Sequence, residues 1–485
     1  MDPTARTKSS GVHPVPTRRI FPSVKLYPLP LLFLAASAFA QDAPSFPAPK
    51  TLGDIGSYGR NIQRTMRLLA TSTPEKRNTV RILFYGQSIT EQAWWTIVAD
   101  DLKKRFPNAN LLIENRAIGG HSSQLLVKTA EADLYPFQPD LLIFHVYGSH
   151  IEYENIIKAV RERTTAEILL QNDHVTKPEA LTEETDPAKL NPGNWDPFIN
   201  HQFLPEIAKK YEAEFVDQRA IWKKYLADYQ LAPSALLRDS VHLNPRGEFL
   251  MAEAVTAYLR YDPKLGLSPA EEWVKTIAVG KDVSWKDGKL TIPFSGNRVD
   301  LIAGASGGGP VSLTIDGKKP SEFPGLHHFT RTTAYPQSNW PCLLRVQSGK
   351  PLQAEEWTLT LKNIGGDVKE IQFDLVGLKT GPDGAGEVGQ KFVSNSGRIV
   401  LEPGDWNLDY CLKVFGPRLK EGFEVKWQVK PAFVDDLIVR ATGVAGTESA
   451  QTIVQGLPNG KHVLEITGAA TTPISAVRIY TPAFH

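Results

Sequence analysis

The stretch of sequence that decides the fold is residues 80–98, which reads VRILFYGQSITEQAWWTIV. Its first part, residues 80–85, is a mostly apolar run of the kind that forms a buried strand of a parallel sheet. From residue 91 onward the sequence is typical of a helix. Ser88 therefore lies on a turn between a strand and a helix. In open α/β folds such turns gather at the carboxyl edge of the sheet, where ligands bind and helix amides favour negative charge.

A second short motif, Asp239-Ser240-Val241-His242, lies far along the chain. It immediately precedes a predicted helix whose first residue is Pro245. The spacing of three residues lets the Asp239 carboxylate bond one imidazole nitrogen of His242, while the other nitrogen faces a serine hydroxyl. Ser88, His242 and Asp239 are therefore the candidate nucleophile, general base and orienting acid.

The order of these motifs resembles that of the SGNH (GDSL-like) hydrolases. In that family a Gly-Asp-Ser block opens the domain and an Asp-x-x-His block closes it. Residues 115–123 are similar to the second block of the family, and residues 139–150 are similar to its third block. The resemblance covers roughly residues 76–260. It implies an α/β fold, namely a flavodoxin-like α/β/α domain with a parallel sheet. It also implies that this domain acts as a serine esterase without a metal or organic cofactor.

The same resemblance assigns three groups to the oxyanion hole, namely the amides of Ser88 and Gly120 and the side chain of His150. The chain departs from the family pattern twice. Gln87 replaces the usual Asp, a change that resembles the Gly-Gln-Ser opening of the sialate acetylesterase branch. In the family the side chain at this position mainly braces the loop. His150 replaces an Asn that donates to the oxyanion; an imidazole also donates, with a different reach and a dependence on pH. Contact with the substrate is a further functional role for His150, and a structural role in the loop is the alternative.

Other candidates for substrate contact belong to the same edge of the predicted sheet. Asn172 and Asp173 follow the predicted strand that ends at Gln171, so their side chains are expected to open onto the cleft. Ordinary loop polarity is the alternative for this pair. Trp195, in a long loop, either stacks on a sugar face or packs against the protein. Gln87 is a further candidate because it adjoins the nucleophile.

The composition of the 485 residues limits the classes of molecule that we expect the protein to bind. There are 54 Lys and Arg residues against 53 Asp and Glu residues, and no basic stripe, which disfavours nucleic acid. An acylated carbohydrate is the favoured partner. Cys342 and Cys411, which are too few for a cysteine-built metal centre, are either paired or two buried thiols. The pair His327-His328 lacks an acidic partner at ligand spacing, so no metal site is predicted there.

The N-terminal residues 1–40 have the features of a signal peptide. Basic residues precede an apolar run, and small residues form a cleavage site that ends at Ala40. The apolar run is too short to span a bilayer. We therefore expect a secreted or periplasmic protein without membrane contact after signal cleavage. A lead-in segment, residues 41–76, and the SGNH domain, residues 77–262, follow.

Residues 270–485 are β-rich, because short apolar runs alternate there with Gly- and Pro-containing turns. We expect an all-β sandwich or jelly-roll region whose jelly-roll halves, about 270–322 and 438–485, flank an inserted β-sandwich, about 325–434. Two consecutive sandwiches are the alternative. We expect this region to be accessory and to supply none of the three catalytic candidates. The oligomeric state does not follow from the sequence.

Together these motifs predict an exported esterase that removes acetyl or similar short acyl groups from a polysaccharide or glycoside. Two alternatives stay open. The altered third block also suits an enzyme of this fold that acts on a glycosidic bond or transfers an acyl group to a sugar. A non-catalytic carbohydrate-binding protein with a decayed esterase domain is the other alternative, although intact Ser88, Asp239 and His242 argue against decay.

Overall fold

The computed structural model describes residues 46–304, 308–440 and 449–484. The predicted signal peptide, residues 1–40, and the first part of the lead-in segment lie outside these ranges. Within them, no helix is both long enough and apolar enough to cross a membrane.

A parallel sheet forms the centre of the α/β domain. Its strands are β1 (Thr79–Gly86), β2 (Asn110–Asn115), β3 (Leu141–His145), β4 (Glu167–Gln171) and β5 (Glu214–Val216). They lie in the order β2-β1-β3-β4-β5, and every neighbouring pair is parallel. This is the strand order of flavodoxin-like folds. The α/β/α domain predicted from the sequence is therefore confirmed.

Helices cover both faces of the sheet. They are α1 (Gln63–Ala70), α2 (Ser88–Glu91), α3 (Trp94–Arg105), α4 (Ser123–Asp133), α5 (His150–Arg163), α6 (Trp195–Phe198), α7 (Leu204–Lys210), α8 (Gln218–Asp228) and α9 (Pro245–Tyr258). Ile82 and Phe84 lie in an apolar cluster with α1, α3 and α9. Leu83 and Tyr85 lie in the opposite cluster with α4, α5 and α7. The two-residue period of a strand thus buries β1 on both faces.

Short helical turns occupy many of the connections. The 3-10 turns are Arg60–Ile62, Tyr135–Phe137, Pro178–Leu181, Pro187–Lys189, Pro233–Leu236, Pro263–Leu265, Pro320–Glu322, Val368–Glu370 and Pro403–Asp405. Most of them begin with proline, because its fixed φ suits the first helical position. A π-helical turn, Ile199–Phe203, joins α6 to α7.

The C-terminal region is built from antiparallel sheets. Its elements are α10 (Ala270–Trp273), β6 (Val274–Ala278), β7 (Lys289–Ala303), β8 (Gly308–Ile315), β9 (His327–Phe329), β10 (Glu355–Lys362), β11 (Gln372–Gly377), β12 (Gly381–Glu387), β13 (Phe392–Val393), β14 (Val400–Leu401), α11 (Leu408–Phe415), β15 (Glu424–Pro431), β16 (Asp436–Arg440), β17 (Ala450–Gly468) and β18 (Ile474–Tyr480). One sheet has the order β16-β8-β17-β7-β18-β6, and another has the order β12-β11-β10-β15-β9. The first sheet takes its strands from the two ends of the region and the second from the part between them. β13 and β14 form a separate pair.

Residues 325–434, here called the β insert, pack directly on the α/β domain. Trp340 of the β insert lies in the same buried apolar cluster as Leu126 of α4. Arg331 forms a two-pronged ion pair with Asp133, whose carboxylate oxygens accept hydrogen bonds of 2.9 and 2.8 Å. The domain boundaries, which concern independent folding, remain predictions.

Candidate active site

Ser88 lies where the central strand of the sheet turns into a helix. β1 ends at Gly86 and α2 begins at Ser88, with the buried Gln87 between them. A Cβ on Gly86 would lie 2.1 Å from the carbonyl oxygen of His145 on β3, so only glycine fits at this close approach. The turn leaves Ser88 half-buried at the carboxyl edge of the sheet.

The loop before α9 carries Asp239 and His242. The side chain of Asn244 accepts hydrogen bonds of 3.0 and 3.1 Å from two backbone N–H groups in the first turn of α9, and so fixes the start of the helix. Asp239 Oδ1 accepts further hydrogen bonds from the backbone N–H groups of Val241 (2.9 Å) and His242 (2.8 Å). These bonds close the loop and bring carboxylate and imidazole together.

In the structure the three catalytic candidates are joined by consecutive hydrogen bonds. His242 Nε2 lies 3.0 Å from Ser88 Oγ, and His242 Nδ1 lies 2.9 Å from Asp239 Oδ2. Because Nδ1–H donates to the carboxylate, Nε2 is left to accept the proton of Ser88. The backbone N–H groups of His242 and Val241, together with the imidazole, hold the pKa of Asp239 well below its ordinary value. The carboxylate is therefore ionised at neutral pH.

Buried side chains hold the backbone on both sides of His242. Gln92 accepts a hydrogen bond from Leu243 N–H (3.0 Å) and donates one to Leu243 O (2.8 Å). His174 Nε2 donates to Val241 O at 2.7 Å. Neither role was foreseen from the sequence, because each hydrogen bond joins residues that are far apart along the chain and no local motif indicates them.

The predicted cleft residues Asn172 and Asp173 lie inside the protein. Asn172 is 1% exposed and donates to Asp217 Oδ1 at 2.8 Å. Asp173 is buried as well, and its Oδ1 lies 3.1 Å from Nε2 of His145. Because the observed partners are protein groups, we now expect both side chains to brace the carboxyl end of β4 rather than to contact substrate. Residue type alone did not reveal this depth.

Residues 119–121, here called the oxyanion loop because Gly120 is a candidate oxyanion donor, lie beside Ser88. A Cβ on Gly119 would lie 3.6 Å from Ser88 Cβ, so the backbone of the loop is close to the Ser88 side chain. Gly120 has a φ of +74°, a conformation that disfavours other residues. Ile118 N–H donates to the carbonyl at the end of β1 at 3.0 Å and anchors the loop. This position suits the oxyanion role of the Gly120 amide, which remains a proposal.

His150 begins α5 and lies among aromatic rings. Its ring centroid lies 5.7 Å from that of Trp195, 5.8 Å from Phe198 and 5.5 Å from Phe203. Trp195 is 39% exposed, so part of its surface is available to a ligand. The structure thus brings two predicted site residues, His150 and Trp195, into one aromatic cluster.

The β insert also reaches this part of the α/β domain. The ring of Trp340 lies against Gly120, and Tyr410 OH donates to Gly120 O at 3.0 Å. Asn339 Nδ2 donates to Glu91 Oε1, at the end of α2, at 2.6 Å. The hydrogen-bonded partners are 290 and 248 residues apart, so no local motif in the sequence could have indicated these contacts.

The cysteine and histidine candidates lie in the β insert. Cys342 and Cys411 are free and buried, which decides between the two states left open by the sequence. Burial raises the pKa of the Cys411 thiol to about 12, so this thiol stays protonated. His327 and His328 lie on β9. In the part of the chain that the structure describes, no three His, Cys, Asp or Glu side chains are grouped so as to hold a metal ion.

No protein-family model matches this chain, and no curated protein matches it. Among solved structures, it is similar to Axe2, an acetylxylan esterase from Geobacillus stearothermophilus, with 18% identity, 39% of this chain and 97% of that chain covered, and a TM-score of 0.33. It is also similar to a putative GDSL-like lipase from Parabacteroides merdae ATCC 43184, with 21% identity, 38% and 98% covered, and a TM-score of 0.31.

The α/β domain has the sheet order β2-β1-β3-β4-β5, and Ser88, His242 and Asp239 form a hydrogen-bonded series at the carboxyl edge of this sheet. This is the fold and the arrangement that the resemblance to the SGNH hydrolases implies. This chain has Gln87 beside Ser88 and His150 in the segment that is similar to the third block, and its oxyanion loop is covered by the β insert.

Proposed function

We propose that this protein is an exported SGNH-type esterase that removes acetyl or similar short acyl groups from a polysaccharide or glycoside. The observation that carries the proposal is the continuous line from Ser88 Oγ to His242 Nε2 (3.0 Å) and from His242 Nδ1 to Asp239 Oδ2 (2.9 Å). A nucleophile, a base within hydrogen-bonding distance and an ionised orienting group are the parts that acyl transfer through serine requires.

In the first half of the reaction, Ser88 Oγ attacks the ester carbonyl carbon while His242 Nε2 takes the hydroxyl proton. Asp239 stabilises the imidazolium that forms. The tetrahedral intermediate then collapses, its bond to the alkoxy oxygen breaks, and His242 returns the proton to that oxygen. The deacylated sugar leaves with a free hydroxyl, and the acyl group remains bonded to Ser88.

In the second half, a water molecule attacks the acyl carbonyl while His242 accepts its proton. The tetrahedral intermediate collapses, Ser88 Oγ recovers the proton from His242, and the carboxylic acid leaves. In both halves the amides of Ser88 and Gly120 stabilise the negative oxygen, and His150 is a further candidate donor. These side-chain and backbone groups suffice for ester hydrolysis in this class.

The site and the composition support a carbohydrate ester as the substrate. Trp195 offers a partly exposed indole beside His150, and aromatic faces are common platforms for sugars. The near balance of 54 basic and 53 acidic residues favours no polyanionic or polycationic substrate. The predicted signal peptide at residues 1–40 supports a secreted or periplasmic location, where polysaccharides are found.

The proposal is tested with Ser88→Ala, assayed for acetate release from p-nitrophenyl acetate and from an acetylated oligosaccharide. We expect the loss of several powers of ten in rate without unfolding, because the change removes the nucleophile and little packing. Ser234→Ala, which removes an exposed hydroxyl from the same domain, is the matched control and should keep the wild-type rate. Wild-type turnover by a folded Ser88→Ala protein would show that the proposed mechanism is wrong.

A further inference from the structure

Four side chains of the β insert contact the oxyanion loop or the helix that begins at Ser88: Asn339, Trp340, Asn407 and Tyr410. We propose that the β insert is a positioning element of the active site, in which Asn407, through His121, and Tyr410 fix the peptide groups on the two sides of Gly120. The inference rests on the proposed function, because it assigns a role to the insert in the same reaction.

The first peptide group joins Gly119 to Gly120. His121 Nδ1 lies 3.2 Å from Gly119 O. In a trans peptide the carbonyl and the following N–H point in opposite directions, so a hydrogen bond that holds Gly119 O also sets the direction of Gly120 N–H. That N–H is the proposed oxyanion donor. His121 therefore fixes the donor without contacting the substrate.

His121 is in turn held by the β insert. It is fully buried, and burial lowers its pKa to about 4, so the ring is neutral at neutral pH. Asn407 Nδ2 lies 3.4 Å from His121 Nε2 and donates to it, while the same amide nitrogen donates to Pro341 O at 3.1 Å. With Nε2 as acceptor, the proton of the neutral ring is on Nδ1, which is the tautomer that donates to Gly119 O.

The second peptide group joins Gly120 to His121. Tyr410 OH donates to Gly120 O at 3.0 Å, which fixes this group from the other side of the loop. Asn407 and Tyr410 lie three residues apart, Asn407 at the N-terminus of α11 and Tyr410 within its first turn. One short helix of the β insert thus holds both peptide groups that flank Gly120.

Trp340 limits the space in which the oxyanion loop could move. Its indole is 5% exposed and lies so close to Gly120 that a Cβ there would be 2.3 Å from Cζ2. The same indole packs edge-on against His121, with ring centroids 4.9 Å apart and an interplanar angle of 82°. Because close-packed side chains leave no room for displacement, the loop is confined on the side of the insert.

The test compares Tyr410→Phe and Asn407→Leu with wild type, using p-nitrophenyl acetate as substrate and phenylboronic acid as a tetrahedral analogue. Active enzyme is counted by labelling Ser88 with a fluorophosphonate. We expect kcat to fall by about 10- to 100-fold while KM stays near the wild-type value, since displacement of a catalytic group by about 1 Å costs up to about 100-fold. Affinity for phenylboronic acid should fall by a similar factor, because the analogue resembles the transition state.

The matched control is Tyr335→Phe, which deletes another tyrosine hydroxyl of the β insert, one that donates to Gly416 O at 2.7 Å. It should lower thermal stability at least as much as Tyr410→Phe and leave kcat unchanged. His121→Asn keeps an N–H near the position of Nδ1 and should retain more activity than His121→Leu.

The outcomes separate this inference from the proposed function. If wild type shows no Ser88-dependent hydrolysis, the proposed function fails and the inference fails with it. If wild type hydrolyses esters but Tyr410→Phe and Asn407→Leu both keep the wild-type kcat, only the positioning role of the β insert is wrong. The same holds if Tyr335→Phe lowers kcat as much as Tyr410→Phe, because the effect would then reflect stability alone.

Discussion

Gln92 binds both polar backbone groups of Leu243, with its Oε1 accepting from Leu243 N–H at 3.0 Å and its Nε2 donating to Leu243 O at 2.8 Å. Gln92 directly follows α2, which begins at Ser88, and Leu243 directly follows His242. One buried side chain therefore joins the segment that contains Ser88, the candidate nucleophile, to the loop that contains His242, the candidate base. The distance of 3.0 Å between Ser88 Oγ and His242 Nε2 therefore depends on the Gln92 link as well as on the hydrogen bond between these two atoms.

Gln92→Ala should lower kcat and also destabilise the protein. The change leaves a buried N–H and a buried C=O of Leu243 without partners, which costs about 1–3 kcal/mol for each group. Gln63→Ala is the matched control, because Gln63 is also buried and its side chain binds backbone groups far along the chain, including Arg260 O. Urea denaturation and steady-state kinetics should show lost stability in both variants but a lower kcat only in Gln92→Ala. Equal kcat values would contradict the prediction.

His174→Leu should slow the reaction, whereas His174→Gln should retain most of the activity. His174 Nε2 donates to Val241 O at 2.7 Å, next to the candidate base His242, and a glutamine amide can place an N–H near the same position. We expect a loss of about tenfold in kcat for the leucine variant, within the range expected for a small misplacement of a catalytic group. The measurement is kcat and KM on p-nitrophenyl acetate. Identical values for both variants would show that this hydrogen bond does not position His242.

The free energy of unfolding should decrease as the pH falls from about 6.5 to about 4. Burial lowers the pKa of His121 and of His174 from the ordinary 6.5 to about 4. In this window the unfolded chain binds protons that the folded protein does not, so acid favours unfolding. The loss is on the order of 3 kcal/mol for each histidine. Urea denaturation at several pH values in this range gives the free energy of unfolding as a function of pH. This free energy should decrease less steeply with falling pH for His174→Gln than for wild type, and an equal pH dependence would argue against the prediction.

His150 variants should decide whether its imidazole serves the oxyanion. His150→Phe keeps a ring among Trp195, Phe198 and Phe203 but removes the N–H donors of the imidazole ring. If His150 donates to the oxyanion, this variant and His150→Ala should both lose about 2.7–4 kcal/mol of transition-state stabilisation. His150→Asn, which restores the usual family residue, should retain or raise activity. Wild-type kcat/KM in His150→Phe would assign His150 a packing role only.

The sequence was sufficient for the central sheet, because its information is local. The strands β1 to β5 were predicted from short, mostly apolar runs that are followed by turn residues. Such a run can be recognised from a few consecutive residues, without knowledge of distant parts of the chain. The side chains of Asn172 and Asp173 show the limit of this reasoning. Their place after β4 was predicted, but their burial depends on Asp217 and on His145, which the local pattern did not identify as partners.

The sequence by itself determined the α/β/α fold and indicated Ser88, Asp239 and His242 as catalytic candidates. It was sufficient for these points because the apolar runs of strands, the starts of helices and the three-residue spacing of Asp239 and His242 each lie within a short segment. Only the tertiary structure showed which distant residues hold the backbone next to these catalytic candidates. Gln92 meets Leu243 and Tyr410 meets Gly120 across 151 and 290 residues. Such pairs have no periodicity and no fixed spacing, since they form only when separately folded elements pack together, and packing depends on the shape of the whole chain.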